Sequence, residues 1–256
     1  MSAQLEVQGL SRVYGGIRAV DQVSFTTQPG HITGVIGPNG AGKTTLFNLI
    51  AGSVRPSAGT VRMNGAVLTG VSAAAIARRG LVRTFQATSV FAGHSVYENL
   101  YRAALFRQFP TPHTLLKPSA LRLGRQQAAE QADAALALIG MSALADADAG
   151  ALAYGLQKTL GVGMALTAMP TLLLMDEPAA GLNPVETAAM ADLIERIHST
   201  GIDIVVVEHD MGLVMRLCQH LVVLVNGKLL AEGECAHVRQ DPKVIEAYLG
   251  ADLDDA

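Results

Sequence analysis

The order of apolar patterns along the chain predicts an α/β fold with a mostly helical segment set into it. Three observations carry that expectation. A short buried strand, HITGVIG at 31–37, runs through a glycine-rich turn into a helical pattern. In the last third, the runs TLLLM at 171–175, IDIVVV at 202–207 and LVVLV at 221–225 alternate with a helix-period segment. Between these regions, Val96 to Ala153 is patterned mainly for helix.

In chain order, LEVQGL at 5–10 and AVDQVSFTTQPG at 19–30 show partial alternation and end at glycine, which predicts an opening pair of strands with a tight turn near Pro29 and Gly30. After the strand at 31–37 the period changes, and Leu46, Leu49 and Ile50 fall on one helical face. SAGTVRMNG at 57–65 reads as another strand and turn, residues 72–79 as a short helix, and LVRTFQ at 81–86 as a strand entering a loop. The helical middle is expected to break at Pro110, Pro112 and Pro118 and at glycines such as Gly124 and Gly140. Its alanine-rich part, Gln126 to Ile139, has high helix propensity but small side chains that bury little area each. A helix near Gln157 to Ala168 precedes the carboxylate-ended strand TLLLMDEP, and Glu186 to His198 carries a helical stripe of Ala189, Met190, Leu193 and Ile197. Asn226-Gly227 suits a hairpin turn between LVVLV and KLLAEG.

Composition narrows the function classes. Hydrophobic residues make up 50% of the 256 and charged residues 16%, a balance for a packed globule rather than a disordered chain. A formal net charge of −3 argues against a general phosphate-backbone binder, so nucleic acid is not an expected partner. Cys218 and Cys235 are the only cysteines, too few for a disulfide scaffold and consistent with a reducing compartment. The opening MSAQLEVQGL lacks a basic flank followed by an apolar secretion segment, and no run reaches the roughly 18 apolar residues of a membrane span. Membrane association is therefore expected only through a partner or a surface patch.

Gly37-Pro38-Asn39-Gly40-Ala41-Gly42-Lys43-Thr44-Thr45 is the strongest chemical signal. Glycines there let phosphate oxygens approach backbone N–H groups and let the loop take conformations costly for other residues. The following helix points its free N–H groups at the same phosphates. Lys43 is placed to reach the terminal phosphates, Thr44 to ligate magnesium, and Thr45 to add a phosphate contact. The second signal is Leu172-Leu173-Leu174-Met175-Asp176-Glu177. Asp176 at the strand end would orient the magnesium shell beside Thr44, and Glu177 would polarise the water attacking the γ-phosphate. His209, after VVVE, is a candidate to contact the γ-phosphate or orient Glu177, and Gln86 to sense magnesium or the attacking water. Tyr14 precedes Gly15 and Gly16, which would let the backbone turn beneath a ring stacked on adenine.

These residues together resemble the ATP-binding cassette family, and more narrowly the ATPase subunits of branched-chain amino-acid importers. The resemblance covers nearly the whole chain. Gly37 to Thr45 matches Walker A, Gln86 the Q-loop, Leu172 to Asp176 Walker B with Glu177 beside it, His209 the switch histidine and Tyr14 the adenine-stacking position. RTFQ at 83–86, DEPAAGLNP at 176–184, VVEHDMGLV at 206–214 and PKVIEAYLG at 242–250 carry the narrower match. The resemblance implies a P-loop NTPase core of ABC type with an antiparallel β subdomain and a helical subdomain. It treats 1–256 as a single domain with a helical lobe inserted at about 96–160. It implies ATP and Mg2+ as cofactors, and a head-to-tail pairing with a second ABC ATPase subunit, a heterodimer or a homodimer. It further implies two transmembrane permease subunits, an external substrate-binding protein met only indirectly, and a peripheral place at the cytoplasmic membrane face.

Leu152-Ala153-Tyr154-Gly155-Leu156-Gln157 resembles the family's signature LSYGQQ with two departures. Ala153 stands at the serine position and Leu156 at the first glutamine position. Alanine lacks the hydroxyl expected to donate to the partner's γ-phosphate, whereas Gly155 and the helix that follows can still approach it. Losing such a charge-assisted bond costs the closed state about 1.5–3 kcal/mol. The defect falls on the partner's nucleotide site and leaves the site on Lys43 and Glu177 intact. Asn183, at the D-loop aspartate position, is a feature of the importer subfamily. Two other functions compete with transport: a cassette protein acting on nucleic acid or ribosomes, and an ATP-dependent regulatory clamp with little turnover.

Overall fold

The computed structural model describes residues 3–84, 90–108 and 118–251. In chain order its elements are β1 (Leu5–Tyr14), β2 (Ile17–Thr26), β3 (Ile32–Ile36), α1 (Lys43–Ile50), β4 (Ala58–Met63), β5 (Ala66–Val67), α2 (Ala73–Arg78) and β6 (Leu81–Arg83). Three helices follow, α3 (Val96–Gln108), α4 (Pro118–Leu138) and α5 (Tyr154–Leu166). The chain continues through β7 (Leu172–Asp176), α6 (Pro184–Ser199), β8 (Asp203–Val207), α7 (Met211–Leu217), β9 (His220–Val225), β10 (Lys228–Glu234), α8 (Cys235–Val238) and α9 (Pro242–Ala251).

Two sheets organise these elements. One is antiparallel, in the order β2-β1-β4-β5. The other, β10-β9-β3-β8-β7-β6, is parallel except for its β10 edge. Every residue of β3, β7 and β8 is buried, which explains why those strands read as continuous apolar runs. Successive side chains point to opposite faces of the sheet and feed two separate cores. Ile36, Leu173, Met175, Val206 and Val223 pack with Leu160, Met190, Ile194 and Leu213 of the helices on one face. Val35, Leu172, Leu174, Val207 and Leu224 pack with Leu46, Phe47 and Ile50 of α1 and with Leu5, Val7 and Val23 of the antiparallel sheet. Crossovers through α1, α6 and α7 bring the loops after β3, β7 and β8 to one edge, where open α/β sheets hold their ligands.

Several local expectations change. β1 does not stop at Gly9: a register shift carries it on to Tyr14, and the hairpin with β2 turns at Gly15-Gly16, both at positive φ. The turn at Pro29-Gly30 instead leads from β2 into β3. Pro118 begins α4 rather than breaking a helix, because the first helical turn needs no N–H from it. Gly124 lies inside α4 without interrupting it, whereas Gly140 follows the helix end at φ 72°. Pro110 and Pro112 lie outside the described residues. The helix expected from Gln157 begins at Tyr154, and the one expected from Glu186 begins at Pro184 behind Asn183. Among the described residues no helix is long and apolar enough to cross a membrane.

Candidate functional site

The loop after β3 is shaped by contacts as much as by conformation. Gly37 has φ 151°, and a Cβ on it would stand 2.1 Å from the Leu224 carbonyl oxygen of β9. Gly42 has φ 99°, and its Cβ would meet the Ala19 carbonyl of β2 at 2.3 Å. Either side chain would push the loop off the strands that hold it, a reason for glycine beyond access for phosphate. Gly227 closes the same corner, donating to the Ala41 carbonyl at 3.0 Å and accepting from Asp21 N–H at 2.7 Å. Gly42 is the N-cap of α1, which has no side-chain cap and no acidic residue in its first turn. The amides at that end thus have no anionic side chain of their own, and they suit an outside anion.

Lys43 is 7% exposed, and its Nζ donates to the carbonyls of Gly37 at 2.6 Å and Pro38 at 3.0 Å. Burial lowers its pKa from the ordinary lysine value, while the charges of Glu177 and then Asp176 oppose the shift. That coupling places the ends of β7 and the loop after β3 in one electrostatic neighbourhood. Thr44 is exposed and Thr45 half-buried on the first turn of α1.

Asp176 has a partner that sequence reasoning did not assign. Arg83, at the end of neighbouring β6, donates from Nη2 to its Oδ2 at 2.6 Å and from Nη1 to Asn48 Oδ1 on α1 at 2.6 Å. The guanidinium bridges the two elements that flank the site, and Asp176 itself is 2% exposed. Its other oxygen, Oδ1, is buried without a hydrogen-bond partner. A lone carboxylate oxygen of that kind fits a hard cation. Among the described residues no group of three or more His, Cys, Asp and Glu forms a metal cluster. A cation at Asp176 would take its remaining oxygens from Thr44, phosphate and water.

Glu177 continues the β7–β8 pairing by one hydrogen bond, from its N–H to the Val207 carbonyl at 2.9 Å, and then turns with φ 48°. The turn is gripped from both sides. Lys158 of α5, 8% exposed, donates to the carbonyls of Glu177 at 2.9 Å and Pro178 at 3.2 Å. Glu208, 1% exposed, accepts from Ala179 N–H at 2.8 Å and from His209 N–H at 3.3 Å. Burial raises the Glu208 pKa above the usual carboxylate range and lowers that of Lys158, whose charge is in turn supported by Glu208 and Glu177. Neither residue figured in the sequence reading. The available signal was weak: Lys158 stands between Gln157 and Thr159 on a helix, and Glu208 directly follows the apolar run of β8, where a charge at a buried strand end requires partners.

The remaining expected residues are placed less tightly. His209 follows β8 with its side chain 62% exposed and its Nδ1 4.0 Å from Glu208 Oε2. Tyr14 ends β1, 43% exposed, with the Arg12 guanidinium 4.5 Å from its ring centroid. Gln86 lies outside the described residues. Ala153 is the N-cap of α5, in extended geometry and without a side-chain cap bond, and Leu156 is 38% exposed. Gly155 is buried against α6, where a Cβ would come within 2.7 Å of Glu186 Oε1. Asn183 has a role the sequence reading did not give it. Its side chain accepts from Val185 and Glu186 N–H at 3.0 Å each, and Glu186 returns the bond to Asn183 N–H, a complete capping box.

A strand leading through a glycine loop to a lysine-bearing helix, beside a buried carboxylate at the end of a parallel strand, defines a P-loop nucleotide-binding cassette. The ABC transporter family model matches residues 20–180, and a model described as Branched-chain amino acid ATP-binding cassette transporter matches 228–254. The chain belongs to the ABC transporter family. It is 40% identical over 249 residues to the high-affinity branched-chain amino acid transport ATP-binding protein BraF of Pseudomonas aeruginosa, covering 96% of this chain and 97% of that one. Identity to LivG of Escherichia coli K12, which carries the same description, is also 40%, over 251 residues and the same shares. Among solved structures, an ATP-binding cassette of an ABC transporter in its ADP conformation superposes with a TM-score of 0.83 at 31% identity, covering 98% of this chain and 99% of that one. A nucleotide-free cassette gives 0.81 at 30% identity, covering 97% and 99%.

Proposed function

We propose that this chain is the ATP-binding subunit of an importer for branched-chain or related amino acids, hydrolysing ATP to ADP and phosphate to drive uptake. The observation that carries the chemistry is that β3, which leads into the glycine loop and Lys43, and β7, which ends in Asp176 and Glu177, run parallel on either side of β8 and end at one sheet edge. The cargo class rests on the similarity to BraF and LivG, branched-chain amino acid transport ATP-binding proteins, and on the match over 228–254.

In this reading the amides at the start of α1 and the Lys43 ammonium hold the phosphates, with Lys43 exchanging its loop carbonyls for phosphate oxygens. Thr44 and Asp176 Oδ1 would hold Mg2+, which supplies charge neutralisation at the phosphates. Glu177 orders the attacking water, with Gln86 and His209 completing the polar ring, and Tyr14 stacks on the adenine. A second cassette, identical or different, closes the site with its own signature loop and excludes water. The helical segment at about 96–160 meets one of two permease subunits, so that the subunit works peripherally at the cytoplasmic face. Transport follows only if the two membrane-domain states bind the closed nucleotide sandwich differently.

The uncapped Ala153 and the exposed Leu156 favour a second reading, an ATP-dependent clamp with little turnover at the partner's site. Purification of the intact complex, with identification of its subunits and measurement of cargo-stimulated phosphate release, separates the two. Two permeases, a second cassette and stimulation by a branched-chain amino acid support transport. Stable closure with negligible phosphate release supports the clamp.

A further inference from the structure

We infer that Lys158 positions the hydrolytic residue Glu177 through its main chain, and so ties the signature helix of this subunit to the reaction centre of the same subunit. The inference rests on the reading of Glu177 as the group that orders water, and adds to it the device that aims the carboxylate.

The geometry is specific. Glu177 leaves β7 at φ 48°, a backbone region that side-chain-bearing residues occupy at a cost, so something must hold it there. Its N–H is fixed to Val207 of β8, and its carbonyl and that of Pro178 both accept from the Lys158 ammonium. One residue further on, Ala179 N–H is fixed by Glu208, which also receives His209 N–H. Two buried, oppositely charged side chains thus bracket three consecutive residues, and both use main-chain partners. A buried ammonium could be satisfied at many carbonyls, but here it is spent on the one turn that aims Glu177.

Lys158 sits on the second turn of α5, just past Ala153 to Gln157, and α5 is tightly joined to the helices before it. A Cβ on Gly163 would meet Ile139 Cδ1 at 2.7 Å and Leu100 Cδ2 at 3.1 Å, so α5, α3 and the end of α4 pack without slack. The Lys158 ammonium also lies 5.6 Å from the Tyr154 ring centroid, and that ring covers Gly181 in the loop before α6. A shift of α5 would therefore pull directly on the Glu177 and Pro178 carbonyls. The consequence is communication within one chain: the helix that serves the partner's nucleotide reports its position to the carboxylate serving this chain's own nucleotide.

The test uses the assembled complex containing Lys158→Met, which keeps an unbranched stem of similar length without donors, and Lys158→Arg, which keeps charge and donors. Expected for Lys158→Met is a kcat for ATP hydrolysis about 10- to 100-fold lower, the loss that misaiming a reacting group brings. KM for ATP and equilibrium binding of a fluorescent ATP analogue stay within about twofold. Lys158→Arg recovers a substantial share of kcat. Unchanged turnover in Lys158→Met overturns the inference. So does a fall in kcat matched by lost ATP binding, or by a lowered melting midpoint that arginine does not restore, because either outcome marks Lys158 as structural only. If the methionine chain fails to assemble, Lys158→Leu, which likewise has no donor, takes its place under the same criteria. ATP binding by the unmodified complex is the separate control on the underlying functional reading.

Discussion

Substituting Ala153→Ser tests two effects that the structure separates. Ala153 occupies the N-cap of α5 with φ −57° and ψ 150°, and no side chain caps the helix. A serine hydroxyl in that backbone geometry accepts from the N–H of Gly155 or Leu156 and stabilises the isolated chain by about 1 kcal/mol. In a chain of this size that is a melting midpoint raised by about 2–4 °C, with no nucleotide and no partner required. The same hydroxyl has a hydrogen left to donate, and under the proposed head-to-tail pairing that hydrogen would reach the partner's γ-phosphate. A charge-assisted bond of about 1.5–3 kcal/mol shifts the closed-state equilibrium about 10- to 150-fold. Calorimetry of the free subunit reads the first effect. ATP-dependent association and phosphate release by the complex read the second. The reasoning fails for the helix cap if the midpoint does not rise. It fails for the contact across the interface if association improves equally when the partner's Walker A lysine has been replaced, since that partner can no longer present the phosphate.

Three further substitutions probe the site on this chain. Glu177→Gln is expected to keep ATP binding and ATP-dependent closure while phosphate release at this site falls at least about 100-fold, within the range for a lost general base, as read by single-turnover assay. Arg83→Met strands the buried Asp176 carboxylate without its guanidinium and is expected to cost about 3–5 kcal/mol by denaturant unfolding, whereas a loss under about 1 kcal/mol would show that Asp176 does not depend on the guanidinium. Asn183→Ala removes a bidentate cap and should lower stability by about 1 kcal/mol, while Asn183→Asp should stay within about 0.5 kcal/mol of the parent in the same titration, because aspartate caps equally well.

Much of the fold was legible because its signals are local. The apolar runs of β3, β7 and β8, the period change after Gly42 and the Asn226-Gly227 turn each lie within a few residues and need no distant partner. The extent of β1 was not legible, since Gly9 reads as a stop until β2 and β4 are present to pair across the irregularity. The start of α6 was legible in principle from Asn183-Pro184 with Glu186 behind them, a capping signal that the stripe of apolar residues overshadowed.

The sequence by itself determined the chemistry of the phosphate loop and the pair of carboxylates, because a backbone cradle, its lysine and its hydroxyls are contiguous in the chain. Only the tertiary structure decided who holds those groups in place. Arg83 lies 93 residues from Asp176, Lys158 lies 19 from Glu177, and Glu208 lies 29 from Ala179. Such partners are chosen by which strands the crossovers set side by side and by the requirement that every charge taken out of water find an opposite charge or a dipole, and neither condition leaves a mark at fixed spacing.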